Sequence, residues 1–164
     1  MQYQPKQIGD SHVRYALIQE GKRTLFVVGL NPSTADAAKP DSTMQFVLRI
    51  AEYNGYDGFM MINLYPLRAT CPKDLPKEYD EQLHRSNLSN IEKLLEGRNN
   101  VDIWLAYGDN VTSRKYLIHC LNDIIKVFEP HNPKWYYIDT LTKKGMPKHP
   151  LYKKTDYLKE YPMK

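Results

Sequence analysis

The chain has 164 residues, of which 41% are hydrophobic and 26% charged, with 13 tyrosines and a formal net charge of +4. This composition excludes a disordered chain, and the length predicts one domain, residues 1–164, around a single core. With only two cysteines, the chain cannot be a disulfide-rich scaffold. The sequence shows neither a membrane-spanning apolar run nor a secretion signal. We therefore expect a cytoplasmic protein without membrane partners.

Two β-prone runs open the chain, at residues 12–20 and 24–30. The segment between them contains Gly21, which supplies the positive φ that a tight turn requires, so we predict an N-terminal β-hairpin. The second run is apolar throughout residues 25–30. Because such a strand is covered on both faces, it is predicted to lie at the centre of a largely parallel sheet.

Helical and strand patterns alternate after this point. A helix is predicted at residues 42–54, with Asp41 or Ser42 as its cap and Gly55 at its end. Further helices are predicted at residues 83–95 and 111–127, strands at 59–62, 101–107 and 135–138, and a loop-rich tail with a short final element at 140–164. Alternation of this kind predicts right-handed βαβ units, and therefore a three-layer α/β/α sandwich with a central, mostly parallel sheet.

Four polar loops rich in glycine or proline follow the predicted strands, at residues 29–36, 63–70, 108–110 and 145–150. In open α/β sheets ligands bind beyond the carboxyl ends of the strands, where helix N-termini point free N–H groups at the crevice. We therefore expect the four loops to converge on one site. Its candidate residues are Gly29, Asn31, Pro32, Ser33, Asp36, Asn63, Arg68, Gly108, Asp109, Lys148 and His149.

Each of these loops also has a simpler structural explanation. Asn31 and the residues after it could form only a turn before a helix, Asp109 could only cap the next helix, and Arg68 or His149 alone would be ordinary surface residues. Their joint placement favours a functional site. The aspartates at positions 36, 41 and 109 could hold a cation, but capping is their commoner use, so we predict no metal and no cofactor.

Three stretches carry a family resemblance: GLNPSTAD at residues 29–36, NLYPLRAT at 63–70 and GMPKHPLY at 145–152. They resemble the signature stretches of domain-of-unknown-function family 1643. On these stretches the chain is identified as a member of that family over about residues 14–152. The family carries no established activity.

More distantly, the same loops resemble those of the uracil-DNA glycosylase superfamily. The resemblance implies a uracil-DNA glycosylase-like fold, in which Asn31 falls where a polar residue holds the attacking water. Asn63, Arg68 and Pro72 loosely match the stretch that follows the next strand in that superfamily. His149 falls in a late loop that, in the superfamily, binds the flipped nucleotide and stabilises charge on the departing base.

The chemistry of base removal suits these residue types. A glycosylase must stabilise an oxocarbenium-like sugar and an anionic base after flipping its target out of the stack. Asn31 can position water without bearing charge, and His149 can donate a hydrogen bond to a base oxygen. Arg68 and Lys148 would take phosphate oxygens. Ser33 departs from the superfamily, which places glycine there and so allows a ligand to approach more closely.

Three hypotheses remain open. The first is an enzyme that hydrolyses an N-glycosidic bond in a nucleotide or nucleic acid, with Asn31 and His149 as catalytic residues. The second is a binding module that recognises a nucleotide, DNA or RNA without turnover, and the third is a site for another phosphorylated metabolite. A net charge of +4 is compatible with a polyanionic partner, although an ordinary lysine-rich surface is the simpler explanation.

Overall fold

A computed structural model describes residues 1–163, which contain seven β-strands and three α-helices. The strands are β1 (Lys6–Gly9), β2 (Arg14–Gln19), β3 (Thr24–Gly29), β4 (Gly58–Asn63), β5 (Asp102–Leu105), β6 (Lys134–Ile138) and β7 (Leu158–Glu160). The helices are α1 (Ser42–Tyr53), α2 (Glu81–Leu95) and α3 (Lys115–Phe128). None of these helices is both long enough and apolar enough to cross a membrane.

All seven strands form one mixed sheet with the spatial order β1-β2-β4-β3-β5-β6-β7. The four central strands β4, β3, β5 and β6 are parallel, whereas β1, β2 and β7 pair antiparallel with their neighbours. The prediction of a mostly parallel sheet is therefore wrong. β1 has no buried residue and β7 has one, Leu158, and antiparallel edge strands tolerate exposure that a central parallel strand does not.

The N-terminal hairpin joins β1 to β2 and not, as predicted, β2 to β3. β4 lies between β2 and β3, antiparallel to the first and parallel to the second. Asp57, next to the start of β4, accepts hydrogen bonds from the N–H groups of Lys22 at 3.1 Å and Arg23 at 2.7 Å. Because almost every residue of β3 and β4 is buried, these two strands take adjacent central positions and the partly exposed β2 lies outside them.

The sheet separates two apolar cores. Phe26 and Val28 of β3 face the core under α2 and α3, whereas Leu25 and Val27 face the core under α1. This alternation is the period of two that any β-strand imposes on its side chains. One helix covers one face and two helices cover the other, so the structure has the three layers expected of an α/β/α sandwich.

The helices form close to their predicted positions. Asp41 caps α1 by accepting a hydrogen bond from the N–H of Met44 at 2.9 Å. α2 begins at Glu81, two positions before the predicted start, because Asp80 caps it. α3 begins at Lys115 and not at residue 111, since the preceding segment Asp109–Thr112 forms a separate 3-10 turn.

Hydrogen bonds beyond the strand ends join the loops at the carboxyl edge of the sheet. The N–H of Leu64 donates to Gly29 at 2.9 Å, and the N–H of Ala106 donates to Val28 at 2.8 Å. Further out, the N–H of Ala69 donates to Pro32 at 2.9 Å. The loops after β3, β4 and β5 therefore meet as one connected unit at this edge.

Candidate functional site

A cavity of about 770 Å³ opens at the carboxyl edge of β3, β4 and β5. Its walls come from the loops that sequence reasoning singled out, together with the start of α1 and the segment around Pro150. Of the predicted site residues, the cavity is lined by Gly29, Asn31, Ser33, Asn63, Gly108, Asp109, Lys148 and His149. Pro32, Asp36 and Arg68 are not among its lining residues.

The amide of Asn63 is the most unusual polar group in the cavity wall. Asn63 ends β4 and is only 1% exposed. Neither its Nδ2 nor its Oδ1 has a hydrogen-bond partner within residues 1–163. A buried polar group without a partner costs about 1–3 kcal/mol, so such groups are rare unless a ligand satisfies them.

Gly29 keeps the space beside this amide open. A Cβ at position 29 would lie 2.8 Å from Asn63 Oδ1 and 2.7 Å from Met61 Cε. Both separations are shorter than nonbonded atoms accept, so a side chain here would displace the amide or the methionine. Met61 also lines the cavity, and its flexible thioether chain can move when a ligand approaches Asn63.

Asn31 presents a fixed acceptor. Its Nδ2 donates to the carbonyl oxygens of Ala69 at 2.8 Å and Pro32 at 3.0 Å. Both amide hydrogens are therefore used inside the protein, and the side chain joins the loop after β3 to the loop after β4. The Oδ1 atom accepts nothing from the described part of the chain, so it is available to a water molecule or a ligand.

His149 is held as a neutral imidazole. Burial lowers the pKa of this histidine, while the charge of Asp41 acts weakly in the opposite direction. Its Nδ1 accepts a hydrogen bond from the N–H of Leu151 at 3.2 Å, which requires a lone pair on Nδ1. The remaining ring proton is then on Nε2, so His149 brings a neutral hydrogen-bond donor to the cavity wall.

Gly108 sets the position of His149. Its φ of 72° lies in the left-handed region that favours glycine. A Cβ at this position would lie 3.1 Å from the Cβ of His149, and the Gly108 N–H donates to Pro147 at 3.1 Å. The loop after β5 and the loop of His149 therefore pack closely, and glycine permits this contact without strain.

The charged residues among the predicted set are already paired. Asp109 Oδ1 accepts a hydrogen bond from the hydroxyl of Thr142 at 2.6 Å. Lys148 Nζ lies 2.7 Å from Asp139 Oδ2, and this contact lowers the pKa of the aspartate. Both residues line the cavity, but Asp139 already balances the charge of Lys148, and Thr142 already donates to Asp109.

Arg68 and Asp36 line a second, more open pocket, which shares Ser33, Thr34, Ala69 and Thr70 with the cavity. Arg68 donates to the carbonyl oxygens of Asp10, Ser33 and Ala35 and to Gln7 Oε1, at distances from 2.8 to 3.1 Å. These contacts attach the loop after β3 to the N-terminal strands. Asp36 Oδ1 accepts from the N–H groups of the two residues Ala38 and Lys39, and these bonds lower its pKa.

Arg14, the first residue of β2, lines the cavity and was missed by sequence reasoning. It is 2% exposed, and burial lowers its pKa to about 10, so it stays charged at neutral pH. Its Nη1 donates to the carbonyl of Ala35 at 3.0 Å, whereas Nε has no partner in the described part of the chain. The only signal in the sequence was an arginine at the start of an apolar, β-prone run.

The start of α1 completes this side of the cavity. Ser42, Thr43 and Met44 line it, and the capping residue Asp41 is held on both oxygens, by the N–H of Met44 at 2.9 Å and that of Ala35 at 3.3 Å. Helix N-termini and guanidinium groups both favour anionic ligand groups. The site thus combines an amide edge, a neutral imidazole donor and the Arg14 guanidinium, beside a helix start that Asp41 caps.

Comparison with known proteins gives a family without an assigned activity. A family model described as "Protein of unknown function (DUF1643)" matches residues 14–151. No curated protein and no solved structure matches the chain.

Proposed function

The chain belongs to the DUF1643 family of proteins of unknown function, and we propose that its cavity binds a nucleobase and supports hydrolysis of an N-glycosidic bond. The observation that carries this proposal is the buried amide of Asn63, which lines the cavity and has no partner within residues 1–163. A primary amide offers one donor and one acceptor side by side. The hydrogen-bonding edge of a base offers the complementary pair.

The surroundings of Asn63 fit a flat, largely apolar ligand with a polar edge. Gly29 leaves room beside the amide, and the thioether side chains of Met44 and Met61 line the same cavity. At the rim, Leu151 is exposed and Tyr152 is 75% exposed. An exposed aromatic ring beside a base pocket offers a stacking surface for a neighbouring nucleotide.

The proposed reaction divides between Asn31 and His149. Asn31 Oδ1 holds a water molecule, whose oxygen attacks C1′ of the sugar while the bond between C1′ and the base nitrogen breaks. The electron pair of that bond goes to the base, and the attacking water supplies the proton that the base finally carries. His149 donates from Nε2 to a base oxygen and so stabilises the negative charge that develops there.

We also propose that the α/β sandwich is of the uracil-DNA glycosylase type, from the resemblance of the loops around Asn31, Asn63 and His149. DNA, RNA or a nucleotide is then the expected partner, and the Arg14 guanidinium provides the positive charge for a phosphate. Cys71 and Cys120 are both free thiols, which agrees with a proposed cytoplasmic location.

A binding module without turnover is the second candidate function, and one observation favours it. The two carboxylates that line the cavity, Asp41 and Asp109, are both engaged by the protein. Asp41 has both oxygens engaged, so of these two carboxylates only Asp109, through Oδ2, is left to accept a proton from the attacking water. If Asp109 does not do so, Asn31 and His149 only hold the ligand.

A single-turnover assay of base release separates the two functions. Labelled DNA carrying uracil, hypoxanthine or xanthine is incubated with the wild type, with Asn31→Ala and with Asn122→Ala. Asn122 is an exposed asparagine on α3, so it controls for the substitution itself. Catalysis predicts release that falls on the order of 100-fold in Asn31→Ala and stays unchanged in Asn122→Ala.

Two other outcomes decide against hydrolysis. No release from any substrate, with nucleobase or DNA binding that weakens in Asn31→Ala, would identify the binding module. No binding of bases, nucleotides or DNA even at low salt, where phosphate contacts are strongest, would refute both functions and leave a different phosphorylated ligand.

A further inference from the structure

A second cluster of reactive side chains lies between α2 and α3, outside the cavity. His84 belongs to α2, and His119 and Asp123 belong to α3. His119 and Asp123 are four residues apart on the helix, which places them on one face. One ligand atom from each of the three residues lies within 4.8 Å of the other two.

Both imidazoles approach the same carboxylate oxygen. His84 Nε2 lies 2.8 Å from Asp123 Oδ2, and His119 Nε2 lies 3.3 Å from the same atom. Ligand atoms around a tetrahedral zinc ion, with bonds of about 2.1 Å, lie roughly 3.4 Å apart. The pair His119–Asp123 already has this separation, and the pair His84–Asp123 needs to open by about 0.6 Å to reach it, while the ligand nitrogens of the two histidines lie within 4.8 Å of each other.

Aromatic packing fixes the orientation of both rings. The ring of Tyr79 is centred 5.9 Å from His84 and 5.8 Å from His119, and it stacks on Tyr116 at 5.5 Å. The His84 side chain is 3% exposed, whereas that of His119 is 52% exposed. The inner ligand is therefore held by the protein, and the outer side gives an ion access from solvent and leaves a coordination position for water.

A histidine–aspartate hydrogen bond alone does not account for this arrangement. It explains the contact of His84 with Asp123, whereas His119 reaches the same oxygen separately, from one turn away on α3. Two imidazole nitrogens and one carboxylate form a donor set that suits zinc and related transition-metal ions. Magnesium and calcium prefer oxygen ligands throughout.

We propose that His84, His119 and Asp123 bind one divalent transition-metal ion of the zinc class, which links α2 to α3. The unfolded chain lacks this constellation, so the bound ion stabilises the folded state by mass action. The site is independent of the nucleobase cavity, and neither proposal depends on the other.

Calorimetric titration of the chelator-treated full chain with zinc chloride tests the proposal, together with thermal unfolding with and without the ion. We expect one saturable site per chain and a higher Tm that a chelator reverses. His119→Ala and Asp123→Ala should each weaken zinc affinity at least tenfold. Both residues contact solvent, so these two variants should still fold. The control variant His12→Ala removes an exposed histidine outside the cluster and should bind zinc as the wild type does.

Three results would overturn the metal site. These are the lack of saturable zinc binding, zinc affinity that is unchanged in either cluster variant, and magnesium binding at the same site with equal affinity. Circular dichroism of each variant without zinc checks that a lost affinity does not come from a lost fold.

Discussion

Replacing Asn63 by leucine should stabilise the free protein and weaken its ligand binding. Leucine has nearly the shape of asparagine, and it removes two buried amide atoms that have no partner within residues 1–163. An unsatisfied buried polar group costs about 1–3 kcal/mol, and an apolar side chain of the same shape does not carry this penalty. The free energy of unfolding should therefore rise by about 1–3 kcal/mol.

The size of this effect is measurable in a domain of 164 residues. At this length 1 kcal/mol corresponds to about 3 °C in Tm, so the expected increase is roughly 3–9 °C. Urea unfolding followed by circular dichroism gives the free energy, and thermal unfolding gives Tm. Calorimetry with free bases and nucleotides then measures binding, for which loss of a paired amide predicts an affinity about 10- to 100-fold weaker.

Asn87→Leu is the matched control. Asn87 is fully buried on α2 and its Nδ2 donates to the backbone carbonyl of Asn63 at 2.9 Å, whereas its Oδ1 has no partner within residues 1–163. The same substitution there removes a hydrogen bond that is made and leaves the Asn63 carbonyl without this donor, so it should lower the free energy of unfolding. If Asn63→Leu instead destabilises the protein as Asn87→Leu does, the amide of Asn63 is satisfied in the free protein, and the argument that it is kept for a ligand fails.

Two further predictions concern His149 and Arg68. Burial lowers the pKa of His149 in the folded state, so the unfolded chain binds its proton first as the pH falls. The contribution of neutral His149 to the free energy of unfolding is complete above about pH 6.5 and is lost as the pH falls from there through the lower pKa of the folded state. Urea unfolding at about pH 8 and pH 5 measures this loss, and His149→Asn should remove it. If the difference between the two pH values is the same in the variant, burial of His149 is not its cause. Arg68→Lys should lower the free energy of unfolding by about 1–3 kcal/mol, because lysine cannot reach four acceptors at once. Arg85→Lys, at an exposed arginine paired with Glu81, should change it by less than about 0.5 kcal/mol in the same measurement, and equal losses would refute the attachment by Arg68.

The sequence predicted the central strands and the helices because their patterns are local. The apolar run of β3 marks that strand by itself. The helical spacing of apolar residues and the cap at Asp41 mark α1 without reference to any other segment. The order of the strands was not predictable in this way. The order depends on which strands bury both faces, and this places β4 between β2 and β3. Asp57 beside β4 accepts hydrogen bonds from Lys22 and Arg23, more than thirty residues earlier in the chain, and no local pattern predicts such a contact.

The candidate site was predicted as a set of loops more accurately than as a set of side chains. The rule that ligands bind at the carboxyl ends of parallel strands placed Asn31, Asn63 and His149 around one cavity. It could not show that Arg68 holds the loop after β3 and does not line the cavity, because the acceptors of its guanidinium are backbone carbonyls from distant segments. It also missed Arg14, because β2 runs antiparallel to β4 and so brings its first residue, and not its last, to this edge of the sheet.

The distribution of unsatisfied groups links the site to the stability of the fold. Within residues 1–163, three of the seven buried side-chain atoms without a partner belong to Arg14 and Asn63, and both residues line the same cavity. Natural proteins keep such groups mainly where function requires them, because replacing them would raise stability. A ligand that pairs with Asn63 and with the guanidinium of Arg14 satisfies these atoms, so part of its binding free energy is the recovery of stability that the free protein lacks. The strongest binders should therefore carry both a base edge and an anionic group.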